Sequence, residues 1–101
     1  MTSVADVPPS FEREMSAGEA EWQRLLGTAL RPWTWRREER RAVIELPPGQ
    51  LRIEWQPLPP RQIALLRLPR LRVRFIFEGV PPVARRAFMA HFERYTHRGG
   101  G

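Results

Sequence analysis

Cysteine and lysine are both missing from this 101-residue chain, and each absence closes off chemistry. Without cysteine there are no disulfides, no thiolate zinc site and no thiol nucleophile. Without lysine there is neither a Schiff-base amine nor a P-loop phosphate lysine; all 17 basic residues are arginine. Serine is scarce too. Ser3, Ser10 and Ser16 all fall near the N-terminus, where helix capping accounts for the last two, so no serine triad is indicated. Long apolar runs are also lacking. The longest strongly apolar run, Ile63-Ala64-Leu65-Leu66, has four residues, against the roughly 20 that span a bilayer. Met1–Pro9 carries neither the positive nor the apolar region of a signal peptide. The expectations are a cytoplasmic setting and no membrane partner.

What remains is an ordinary globular composition, 42% apolar and 28% charged, in a chain of single-domain size. Net charge is +6, but its distribution says more. Residues 1–30 hold five acids and two arginines, whereas residues 31–101 hold fifteen arginines and six acids. Either the basic body meets a polyanion, or the acidic first segment covers part of it.

The pattern along the chain predicts a helix, four or five antiparallel strands and a second helix. Residues 1–9 read as a flexible tail, 10–98 as one domain and 99–101 as flexible glycines. Ser10 is a candidate N-cap and Ser16 with Glu19 forms a capping box. Phe11, Met15, Trp22, Leu25 or Leu26, and Ala29 or Leu30 recur at helical spacing, which predicts a helix over about 11–30, stopped by Pro32. The period then falls to two. Thr34–Arg37 and Arg40–Leu46 read as strands around a turn at Glu38-Glu39, and Pro47-Pro48-Gly49 as a turn. Gln50–Gln56 alternates cleanly before Pro57, Pro59 and Pro60 break it. Gln62–Leu68 is apolar without clear sides, and Pro69 suggests a bulge or an edge. In Leu71–Glu78, Leu71, Val73, Phe75 and Phe77 turn inward and Arg72 and Arg74 outward. Pro81-Pro82 opens a helix over about 82–97 with Ala84, Phe88, Phe92 and Tyr95 on one stripe, ended by Gly99-Gly100-Gly101. One apolar sheet face and two apolar helix stripes imply an α+β two-layer sandwich with both helices on one face.

Chemistry is thin. His91 and His97 are six apart, off the three-or-four spacing of a helical metal pair, and His91 reads as a partly buried histidine with one backbone or water partner. Glu38 and Glu39 sit among arginines, and Glu45, Glu54 and Glu78 take outward strand positions, so no converging carboxylates are indicated. Neither a cofactor nor a metal is expected, and the chain reads as no enzyme.

Two constellations stand out. Arg70, Arg72 and Arg74, with Arg52 from the neighbouring strand, form a period-two ladder that can meet phosphates or pair across strands with Glu45, Glu54 and Glu78. Trp33 and Trp35 share a parity and either seal the core or offer an aromatic surface beside Arg31, Arg36 and Arg37. The function expected is a small non-catalytic protein–protein interaction module, binding an unknown protein or itself through an edge strand or the open sheet face. Nucleic-acid binding through the arginine face is the alternative.

Overall fold

A computed structural model describes residues 6–96; residues 1–5 and 97–101, with the expected stop at Gly99-Gly100-Gly101, lie outside the described residues. The elements are β1 (Ser10–Met15), α1 (Glu19–Ala29), β2 (Trp35–Glu38), β3 (Arg41–Leu46), β4 (Gly49–Ile63), β5 (Leu66–Glu78) and α2 (Pro82–Thr96). The five strands make one antiparallel sheet in the order β1-β5-β4-β3-β2. The chain is thus a mixed α+β fold. Among the described residues no helix is long and apolar enough to cross a membrane.

The core follows the alternation. Leu71, Val73, Phe75 and Phe77 of β5 are buried while Arg72 and Arg74 are exposed. Register extends the buried layer sideways, Phe75 lying between Phe11 and Ile53, and Leu51 between Phe77 and Ile44. Aromatic edges tie the helices to this layer. The Trp22 ring of α1 meets Trp55 at 5.9 Å and Phe92 of α2 at 6.1 Å, and Phe92 meets Phe75 at 5.6 Å. Such pairs contribute about 0.5–1.5 kcal/mol each beyond the area they bury.

Three expectations need correction. The helix expected over 11–30 begins only at Glu19, because Ser10–Met15 is strand β1. Phe11 and Met15 stand four apart, a spacing that a strand satisfies as well as a helix. Arg13 between them faces the same side: its guanidinium lies 5.5 Å from the Phe11 ring and 5.9 Å from that of Phe75, and it donates to Glu93 of α2. Neither predicted serine cap forms, since Ser10 opens a strand and Gly18 occupies the N-cap of α1 without a side-chain bond.

The second correction concerns Pro57, Pro59 and Pro60, which do not end β4. Leu58 faces Arg70 and Arg61 faces Leu68, so Pro59-Pro60 oppose Pro69 alone as a bulge. Beyond Trp55, whose N–H reaches Arg40 at 3.1 Å, β4 pairs with β5 only, and a missing N–H on its outer edge removes no ladder bond. The strands therefore run on as a two-stranded arm, and Gln62–Leu68 forms its tip around the loop Ala64-Leu65. The third correction moves the β2–β3 turn to Glu39-Arg40, closed by the Glu38–Arg41 pair, with Glu39 at φ 54°. At the base of the sheet a Cβ on Gly49 would lie 2.0 Å from the Glu78 carbonyl oxygen, so only glycine fits there.

The β2, β3 and α2 assignments agree with the expected segments to within a residue or two, and Phe88 and Phe92 are buried as the stripe required. Val7 and Pro9 are tied down: Arg85 Nε donates to the Val7 carbonyl and Phe77 N–H to that of Pro9, both at 2.7 Å.

Candidate functional site

The arginine ladder lies on the face of opposite parity to the core, and register fills it with carboxylates. One row crosses all five strands with alternating sign, Glu12–Arg74–Glu54–Arg41–Glu38. Opposite charges set directly across strands are the favourable arrangement in a sheet. Arg74 approaches Glu12 at 3.7 Å, and Arg41 approaches Glu54 at 3.7 Å and Glu38 at 3.8 Å. Arg52 Nη1 donates to Glu78 at 2.9 Å and its Nε to Glu54 at 3.3 Å. The Glu78 hydrogen bond chiefly raises the Arg52 pKa, against a smaller opposing effect of burial. Arg70 donates to Glu14 at 3.1 Å and to the Pro59 carbonyl at 2.9 Å. Arg72 stands between Glu14 and Gln56 in register and forms no ion pair among the described residues. Glu54 and Glu78 are partners as expected. Glu45 is not, facing Gln50 instead. Two further partners, Glu12 and Glu14, were invisible while Ser10–Met15 read as a helix. Under these stems Val43 is buried on the polar face, between Arg36 and Arg52 in register.

Trp33 and Trp35 sit on the other side. Trp35 pairs with Ile44, and both tryptophans are half-buried against the core. The Trp33 ring lies 4.8 Å from Phe88 and 4.9 Å edge-on to His91. His91 Nε2–H in turn donates to the Ala29 carbonyl at the end of α1, 2.9 Å away. A carbonyl only accepts, so this bond fixes the proton on Nε2. The ladder and the tryptophan pair are not brought together.

Two surfaces emerge that sequence reasoning missed. The first is a groove of about 450 Å³ where β1 meets α2, walled by Val7, Pro8 and Phe11 on one side and Met89 and Ala90 on the other. The Arg13–Glu93 pair lines it, with Arg86 and Asp6 also on its rim. It runs beside the β1 edge, whose only strand neighbour among the described residues is β5. The second is the β4–β5 arm, whose tip is apolar and exposed. Among the described residues no group of three or more His, Asp or Glu side chains could hold a metal.

A third cluster is structural in its connections. Glu19, the first residue of α1, accepts from Arg40 Nε at 2.7 Å and from Trp55 Nε1 at 3.0 Å. The Arg40 bond leads in holding its carboxyl below the ordinary value, with partial desolvation opposing. No family model matches the chain, and no curated protein does either.

Proposed function

We propose that this chain is a small non-catalytic module that takes a protein partner by strand addition at the β1 edge. The observation that carries the reading is the pairing of a free strand edge with an apolar groove between Phe11 and Met89. Main-chain bonds along the edge supply affinity in this mode, and a groove for alternate side chains supplies selectivity. The β2 edge is less suited, having four residues against the six of β1.

The reading includes a layer of two helices over the Phe75 face, supported by the Trp22–Trp55, Phe92–Phe75 and Phe88–Phe77 ring contacts. It treats the module as non-catalytic because the groups that could do chemistry have structural partners: His91 bonds Ala29, and Glu54 and Glu78 bond Arg52. Its setting is the cytoplasm, where a fold stabilised by its core has no need of disulfides. Nucleic-acid binding loses ground because Arg52, Arg70 and Arg74 already face carboxylates.

Selection from a displayed peptide library tests the reading. Captured peptides bind the native protein and lose binding to Ala90→Arg, which fills the groove from an exposed helix position. Peptides indifferent to Ala90→Arg contradict it. So does a shift of short duplex DNA whose log affinity falls with log salt at a slope near −3.6, the value for about four phosphate contacts.

A further inference from the structure

The arm lies at the end of the sheet away from the groove and is explained by neither the core nor the charge rows. Four of the five large apolar side chains exposed among the described residues are on it: Ile63 at 49%, Leu65 at 96%, Leu66 at 60% and Leu68 at 37%. Register sets Ile63 against Leu66 and Arg61 against Leu68, which puts Ile63, Leu66, Leu68 and Arg61 on one face. Monomeric proteins keep such contiguous apolar patches small, and an exposed one marks a contact surface. The charge of the arm itself has one sign, and Glu14 of β1 approaches it from outside, 3.9 Å from the exposed Arg61 and 3.1 Å from Arg70, while Arg67 forms no ion pair among the described residues. Between Glu54 and Glu78 the sequence has five arginines and no carboxylate.

We propose that the arm tip docks shallowly on an anionic phospholipid surface, Leu65 and Leu66 entering first and Arg61 and Arg67 meeting the phosphates. The spacing agrees. Arg67 and Arg61 lie two and three residues from the loop residues Leu65 and Ala64, roughly 7–10 Å back along extended chain. That matches the ~5–10 Å by which interfacial segments bury their apolar side. Spanning a bilayer needs a long apolar run, but a hairpin tip resting in the headgroup layer does not.

Other occupants fit less well. A second copy brings its own arginine collar against this one, setting like charges together. Strand addition along the arm meets Pro57, Pro59, Pro60 and Pro69, none of which has an N–H to give. Nucleic acid rewards the arginines yet leaves Leu65 in water.

Because the chain has no cysteine, Leu65→Cys offers a unique label for a polarity-sensitive fluorophore, with Glu39→Cys on the β2–β3 turn as the control. Vesicles of phosphatidylcholine with phosphatidylglycerol shift the emission at position 65 to the blue, and added salt reverses the shift. Phosphatidylcholine alone has no such effect, and position 39 stays unchanged. Arg61→Gln and Arg67→Gln each weaken vesicle binding about fivefold, the effect of one arginine near an anionic surface. Their far-UV circular dichroism stays native. The proposal is overturned by no shift on anionic vesicles, by an equal shift on neutral ones, or by an equal shift at position 39. It is equally overturned if position 65 shifts with protein concentration or with duplex DNA in place of lipid. Because the β1 groove is left intact in every variant, the peptide-binding reading stands or falls separately.

Discussion

β4 and β5 are continuous strands of one hairpin, yet their two halves have opposite surroundings. In the inner half, Leu51, Ile53 and Trp55 face Phe77, Phe75 and Val73, and all six are buried. Neighbouring strands flank both sides there, and aromatic rings from both helices meet this layer. In the outer half, β1 has ended at the Met15–Leu71 pair and β3 at the Arg41–Glu54 pair, so a two-stranded ribbon stands alone. An isolated hairpin is marginal in water. The ribbon persists because it grows out of an anchored one, and because Arg70 clamps its base to Glu14 and the Pro59 carbonyl. The same backbone arrangement thus builds a core in one half and a probe in the other, and lateral neighbours make the difference.

If that contrast holds, substitutions of similar size differ sharply in cost between the halves. Phe92→Ala, beneath the inner half and buried, costs about 3–5 kcal/mol in urea unfolding, as large-to-small core changes do. A cost under about 1 kcal/mol would break the distinction. Gly49→Ala, which pushes a methyl group onto the Glu78 carbonyl, costs about 3 kcal/mol or leaves the chain unfolded. Glu19→Gln has a smaller effect that depends on pH. Its folded pKa is lowered, so the stability this carboxylate supplies is complete above its unfolded value of 4.5 and is lost as pH falls through the folded one. Native protein therefore outlasts Glu19→Gln in thermal melts at neutral pH, and the gap closes in acid. A gap of constant size would refute the role given to the Arg40–Glu19 pair. Leu66→Ser on the arm changes stability least, by less than about 0.5 kcal/mol, while abolishing the blue shift of the label at position 65.

The contrast also explains what could be read in advance. The sides of Leu71–Phe77 were legible because burial on one face writes period two directly into the sequence. The second helix was legible from Phe88 and Phe92. Strand β1 was not, because Arg13 occupies an inward position and is accommodated by two rings and Glu93, contacts that only the tertiary fold creates. Missing β1 hid the groove beside it and the glutamates that answer Arg70 and Arg74. The arm was missed for a different reason. Its prolines signal an end to pairing, and the bulge that absorbs Pro59-Pro60 depends on the opposing strand. The ladder arginines themselves were identified, but their partners are set by register across strands, which no local spacing encodes.

Hydrogen–deuterium exchange by mass spectrometry, with and without vesicles containing phosphatidylglycerol, tests the division of the hairpin most directly. Peptides covering Leu51–Trp55 and Leu71–Phe77 exchange slowly in both conditions, whereas Pro57–Arg70 exchanges fast in buffer and slows on the vesicles. Equal protection of the two halves in buffer, or an arm that vesicles leave untouched, would contradict the account.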